Sequence, residues 1–390
     1  MKNIVIGSGI IGLSIANELR HKDPSSEILV IEKEQDVGKH ASGRNSGVLH
    51  AGFYYSADSL KARFCRDGNR KWHSFIEENE LSINRCGKLV VAQNEKELEG
   101  IYTLYERGQK NDVEIYLIDE KEALDLEPNV KTFEKALWSP NTSSVSPSEC
   151  NLKLREQLEK SGVEFRFDCR VVGYEGNSIK TTSGFFSADH VYNCAGLYAD
   201  KVAHLFDAGR EYTLLPFKGV YRKCIGVNPV NRHVYPVPNL ANPFLGVHFT
   251  QTVKGESKIG PTAIPAFWRE HYDGLSGFDL VEFAQVSLCE LDLLIRNSFG
   301  FRSLALQEIM KYRASALEKD AGNMLNKFTS KTKAMPAGIR AQLLNIKTRE
   351  LIMDFVVERQ PGVTHVLNAI SPAWTCAFPF AEHVVSMGDN

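Results

Sequence analysis

At 390 residues, with 43% apolar and 24% charged side chains, the chain can bury a sizeable core and suits two domains better than one. Its 46 Lys and Arg against 48 Asp and Glu leave a formal charge of −2, which gives no reason to expect a nucleic-acid partner. No apolar run is long enough to span a bilayer, a peripheral membrane contact stays open, and eight scattered cysteines without ligand-like spacing argue for a cytoplasmic chain with no metal site.

The first segment is the most informative. Ile4-Val5-Ile6 leads straight into Gly7-Ser8-Gly9-Ile10-Ile11-Gly12. These glycines let the backbone turn tightly and approach a pyrophosphate, whose charge then faces a helix N-terminus. An amphipathic helix over 11–21 and a strand over 28–31 follow. Glu32, with Lys33 after it, closes the unit where a carboxylate can accept hydrogen bonds from a ribose diol. The pattern predicts dinucleotide binding. A strand that starts at residue 2 is expected to leave no room for a signal or transit peptide ahead of it. There is one such fingerprint, which argues against a reductase holding two dinucleotides.

A stretch rich in Gly and small residues, 38–52, has no regular period. A helix is predicted over 59–79, a strand over 88–92 and charged, helix-biased sequence to about 109. Ser146 before Pro147 announces a capped helix over 147–160. Short alternating runs at 164–167, 170–174, 178–182 and 185–187 read as a strand followed by a meander, and a strand over 190–193 stops at Ala195-Gly196 before a helix over 199–206. From 212 to 260 strands dominate (214–224, 233–236, 245–250, 258–259), and 280–325 is mostly helical. Strands over 351–356 and 363–368 precede Ser371-Pro372-Ala373 and a closing helix that Pro379 is expected to kink or delay. The expected fold is α/β: a Rossmann-like nucleotide-binding domain (1–80, 147–208, 335–390) interleaved with an α+β substrate domain on a mixed or antiparallel sheet (81–146, 209–334).

The run from Gly43-Arg44-Asn45-Ser46-Gly47 through His50-Ala51-Gly52-Phe53-Tyr54-Tyr55 narrows the reading. So do the runs 86–92, 193–200, 214–219, 235–238, 243–250, 260–263, 338–342, 354–355 and 368–373. Together they resemble the L-2-hydroxyglutarate oxidase/dehydrogenase family, within the FAD-dependent D-amino-acid-oxidase superfamily. The resemblance implies FAD as cofactor and oxidation of L-2-hydroxyglutarate to 2-oxoglutarate by hydride transfer to flavin N5. Electrons would pass to oxygen or a quinone, the latter with the chain peripheral to an inner membrane. An amino-acid or secondary-amine oxidase of the same superfamily is the alternative, and a non-catalytic flavin-binding protein the third reading. Three departures stand out: Lys218 where the family usually has Arg, the bulky run Trp374–Phe380 in place of small residues, and a helical region 280–325 that diverges, so that oligomeric state and membrane contact are not carried over from the family.

Such an oxidation needs a group to hold the carboxylate and a base for the hydroxyl proton. Arg340 occupies a Gly-Ile-Arg motif resembling the position where an arginine clamps a substrate α-carboxylate, and it also stands near the cofactor. Lys218 or Arg269 would serve a second carboxylate, and Tyr235 would close the site. For the base, His248 and His50 rank together; His40 belongs to the cofactor loop. Along the cofactor the resemblance places Gly7, Gly9, Ile10, Ile11, Gly12, Glu32, Lys33, Ser42, Arg44, Asn45, Ser46 and Gly47. Val171 or Val172 marks the adenine side, Ala195 and Gly196 the ribityl-pyrophosphate region, and Pro372, Ala373 and Thr375 the flavin edge.

Overall fold

The computed structural model describes residues 1–238 and 246–387, so the 243–245 end of one family-like run lies outside the described residues. A six-stranded sheet is ordered Val356–Gln360, Val363–Asn368, His190–Asn193, Lys2–Ile6, Glu27–Ile31, Glu164–Arg166, parallel throughout except for its first strand. Alternation explains why its strands read as unbroken apolar runs. Val5 and Val30 face a core with the helices Ile10–Lys22, Leu60–Glu78, Pro147–Lys160 and Ala373–Ser386. Ile4, Ile6, Leu29 and Ile31 face the opposite core, under the Val171–Ser187 meander and the Ala199–Leu205 helix. Both faces are covered, so both must be apolar.

A second, eight-stranded sheet carries Lys88–Val91, His233–Pro236, His248–Gln251 and Ser257–Gly260 at its centre. Its pairs are antiparallel except His233–Pro236 with Lys88–Val91, which makes it mixed. Between the two large sheets, Tyr212–Gly219 pairs with Gly338–Asn345 over eight residue pairs. The division expected at 334/335 therefore runs through a sheet rather than a linker. A small sheet of Val48–Leu49, Ser143–Val145 and Ile83–Asn84 ties the cofactor loop to the other crossings.

Local chemistry sets most ends as expected. Ser59 and Ser146 accept from Ala62 and Glu149 N–H groups at the starts of their helices. Three expectations fail. The strand expected at 214–224 forms as two, Tyr212–Gly219 and Arg222–Ile225, in different sheets. The strand expected at 351–356 forms instead at Val356–Gln360, because Pro361-Gly362 makes the hairpin turn (Gly362 φ +75°) and draws pairing up to it. The last helix is not delayed by Pro379; it starts at Ala373 and runs through to Ser386. Proline offers no N–H to the Thr375 carbonyl, and that oxygen packs against Gly68, where any Cβ would overlap it.

Candidate active site

One cavity of about 920 Å³ runs from the end of the first sheet to the strand Gly338–Asn345. It lies at the carboxyl ends of the parallel strands, where α/β sheets bind ligands. Gly7, Gly9, Ile10, Ile11, Glu32, Lys33, Ser42, Arg44, Asn45 and Ser46 all line it. So do Val171, Val172, Ala195, Gly196, Pro372, Ala373, Thr375, His50 and Arg340.

The nucleotide end is built for an anion. Gly9 begins the first helix with no side-chain cap, and its first turn holds no acid, so the positive end of the helix opens on the cavity. Gly196 has φ +55° and open space where a Cβ would project. Gly12 and Gly47 are not in the wall: a Cβ at Gly12 would overlap the Gly7 carbonyl, and one at Gly47 would sit 2.6 Å from the Val145 carbonyl, so both serve packing. Glu32 takes the Ser8 amide and hydroxyl at 2.8 and 2.9 Å and the Glu34 amide at 3.0 Å, which shapes the turn while it faces the cavity. Ser42 Oγ accepts from the Ile10 amide at 2.8 Å, and Asn45 pins its own loop by accepting from the Gly47 amide.

Around Lys33 a polar network joins the two halves of the chain. Lys33 pairs with Glu34 and, at 2.7 Å, with Glu270; His40 reaches Glu34 at 2.9 Å and the Tyr272 hydroxyl at 2.7 Å. Burial opposes ionisation of Glu34, but Lys33 and His40 outweigh it and hold the carboxyl at about 2. Glu270 and Tyr272 carried no sequence signal, since their partners lie more than 200 positions away.

The other end is cationic. His50 lies at the wall, its amide on Thr375 Oγ1 at 3.3 Å and its carbonyl accepting from Asn69 at 3.2 Å. Behind it stands Lys88, fully buried, with Nζ 3.2 Å from His50 Nδ1. Burial pulls Lys88 down to about 7, and burial with the nearby Lys88 charge keeps His50 well below the usual histidine range. Lys258, also buried and lowered by that burial to about 8, donates to the Ser46 carbonyl at 2.9 Å. Lys88 and Lys258 are site residues that composition could not flag, because a lysine in a strand reads as a solvated position.

Four expected residues stand elsewhere. Phe217 and Gly219 line the cavity, so the strand's alternation turns Lys218 away from it. Arg269 is 5% exposed and gives its fork to Asp200 at 2.7 Å on both arms, outside the cavity wall. Tyr235 is buried with its ring stacked on His248 (3.7 Å between centroids), behind the wall rather than over it. His248 gives Nδ1–H to the Gly246 carbonyl at 2.8 Å; burial is the main cause holding it at about 3, and it too is set back from the wall. Trp374 of the bulky run lines the cavity and stacks on Trp72 at 4.2 Å, extending the helix core.

A Rossmann-like sheet, with a glycine turn and a helix N-terminus on a long cavity, defines a dinucleotide-binding protein. Residues 2–387 match the FAD dependent oxidoreductase family. The chain is 33% identical to the mitochondrial L-2-hydroxyglutarate dehydrogenase of Caenorhabditis briggsae over 98% of its own length and 92% of that protein. It is equally 33% identical to the L-2-hydroxyglutarate dehydrogenase of Escherichia coli strain UMN026, with the same coverage. The fold matches FAD-bound L-alpha-glycerophosphate oxidase from Mycoplasma pneumoniae (TM-score 0.72, 21% identity, 100% of this chain and 94% of that one). It also matches L-amino acid deaminase from Proteus vulgaris (TM-score 0.73, 16% identity, 99% and 92%). The chain belongs to the L-2-hydroxyglutarate dehydrogenase family within the FAD-dependent oxidoreductase superfamily.

Proposed function

We propose that the protein oxidises L-2-hydroxyglutarate, or a close 2-hydroxy dicarboxylate, to the 2-oxo acid and passes the electrons to oxygen or a quinone. The observation that carries this reading is the cationic end of the cavity. Arg340 opens on it beside His50, with Lys88, Lys258 and His248 gathered behind. Among the described residues, the carboxylates in the wall (Glu32, Glu34, Glu270, Asp279 and Glu282) accompany the nucleotide end and the segment packed over it. Burying cations is costly, and an anionic substrate offsets part of that cost on binding.

The glycine turn, the first helix's N-terminus, Glu32 and Gly196 would hold FAD. When bound, FAD supplies the acceptor for the hydride from the substrate's Cα. Arg340 binds the α-carboxylate through its planar fork and so orients that carbon. His50, neutral and at the wall, takes the hydroxyl proton, and Tyr221 beside Lys258 (4.9 Å from cation to ring centroid) narrows the chamber against water. The test is anaerobic bleaching of the purified yellow protein. L-2-hydroxyglutarate should reduce it far faster than L-glutamate, its amino counterpart. Absence of bleaching by every short L-2-hydroxy dicarboxylate overturns the proposal. Turnover with oxygen compared against quinone analogues then identifies the acceptor.

A further inference from the structure

We propose that Lys88 is the final proton acceptor of a His50–Lys88 relay and holds the substrate's hydroxyl proton once oxidation is complete. This rests on the hydroxy-acid reading above and assigns a role to a residue outside the cavity wall. His50 lines the cavity and Lys88 does not, so the imidazole stands between the substrate space and the amine. With Nδ1 turned to Lys88, Nε2 is the ring nitrogen left for the substrate.

The surroundings of Lys88 make it able to change charge. The ionisable groups that face Lys88 and His50 are Tyr54, Cys65 of the Leu60–Glu78 helix, Cys86, His233, Tyr235 and His248. Among these described neighbours there is no carboxylate. The rings of Tyr235, Tyr54 and Phe53, with centroids 4.3, 5.1 and 5.7 Å from Nζ, offer the ammonium form partial compensation. Burial favours the amine and the rings favour the ammonium, which fits a lysine held at about 7. His50 alone is a poor resting place for a proton, because its imidazolium would be buried beside Lys88.

The pair avoids that imidazolium. With Lys88 as the neutral amine, Nδ1–H of His50 donates to Nζ and Nε2 offers a lone pair to the cavity. The substrate O–H bond breaks as Nε2–H forms, and Nδ1–H breaks as the fourth bond to Nζ forms. The ring ends neutral in its other tautomer, Lys88 ends as ammonium, and one proton has moved. The electron pair of the substrate Cα–H bond leaves separately, with the hydride, to the oxidant that the cofactor supplies.

Two measurements test the relay. In the holoenzyme labelled with ¹⁵N-histidine, the His50 ring signals (assigned with H50Q) should report Nδ1–H above a midpoint near pH 7 and Nε2–H below it. A single tautomer from pH 6 to 9 overturns the proposal, whatever the substrate. In stopped-flow anaerobic reduction, the wild-type rate should rise with pH through the same midpoint. Lys88→Met should lose about 100-fold or more with FAD retained, the scale of a missing proton acceptor. Lys88→Arg should not recover it, because a guanidinium stays protonated. Recovery by arginine would show that Lys88 supplies only charge and would overturn the relay. If either variant fails to fold, the tautomer measurement on the wild type decides. A tautomer switch in a protein that no 2-hydroxy acid reduces would leave the relay standing and sink the substrate reading.

Discussion

Arg269 and Arg340 both reach into the interior, and what meets each of them differs. Arg269 delivers its fork to Asp200, whose second oxygen also takes the Leu214 amide at 3.0 Å, and Glu282 lies 3.9 Å from its Nε. Arg340 shares its neighbourhood with Lys258, His248, Tyr221, Tyr55 and the Glu308 carboxylate and opens on the cavity. The first arrangement is closed: every charge has a partner within the chain, and its work is to tie the Trp268–Tyr272 segment to the Ala199–Leu205 helix. The second is open: Arg340 lines the cavity, where a ligand can reach it. An interior arginine is therefore assigned by whether it opens on the cavity, not by its depth.

Breaking the closed pair should have the largest effect. Asp200→Ala leaves the Arg269 charge buried and should cost about 3–5 kcal/mol in denaturant unfolding. Replacing both partners by apolar residues should restore much of that stability, and failure to do so would mean the pair contributes more than mutual neutralisation. At the open end Arg340→Ala should spare folding and FAD content. It should lower the second-order rate of anaerobic reduction about 30- to 1000-fold, from a loss of roughly 2–4 kcal/mol of charge-assisted binding. Arg340→Lys should recover only part, for want of the planar fork.

Lys258→Met sharpens the contrast by moving stability and activity in opposite directions. Holding this ammonium at about 8 rather than the usual 10.5 costs the fold about 3 kcal/mol at neutral pH. Loss of the bond to the Ser46 carbonyl gives back about 1 kcal/mol. A net gain of about 2 kcal/mol in unfolding free energy, with weaker substrate capture, is expected. The pH dependence has a definite sign. A lysine whose folded pKa is depressed binds fewer protons than in the unfolded chain, so its penalty is full below about 8 and is relieved as pH rises from about 8 toward 10.5. The smallest effect is ligand stabilisation. At ten times its Kd a dicarboxylate should add about 1.4 kcal/mol to stability near pH 7. Its affinity should fall as Lys258 and Lys88 discharge, which calorimetry at pH 7 and pH 9 would show.

Legibility followed the range of the interactions. The first strand–turn–helix, the capped helices and the meander are local, and the residues that specify them lie within a few positions of one another. The wall residues from Gly7 to Ser46 were legible for the same reason. Period-two alternation, with Phe217 and Gly219 in the wall, is the local signal that sets Lys218 off it. Lys88 lay inside a run already marked as family-like, yet its burial depends on Tyr235 and His50, which reach it from other strands and loops. The partner that engages Arg269 lies 69 positions away, beyond any local pattern. Charge balance is a property of the assembled interior, and no window of sequence contains it.

The order of strands in the first sheet also governs how the molecule comes into being. Lys2–Ile6 is made early, but its neighbour His190–Asn193 arrives almost two hundred residues later, and that strand's other neighbour is Val363–Asn368. The helix Ala373–Ser386 then packs on Ile10–Lys22 and Leu60–Glu78. During synthesis the glycine turn leaves the ribosome long before the walls that enclose it exist. Cofactor capture therefore waits until Val363–Asn368 and Ala373–Ser386 have been made, and a chain cut before that strand and helix should never turn yellow.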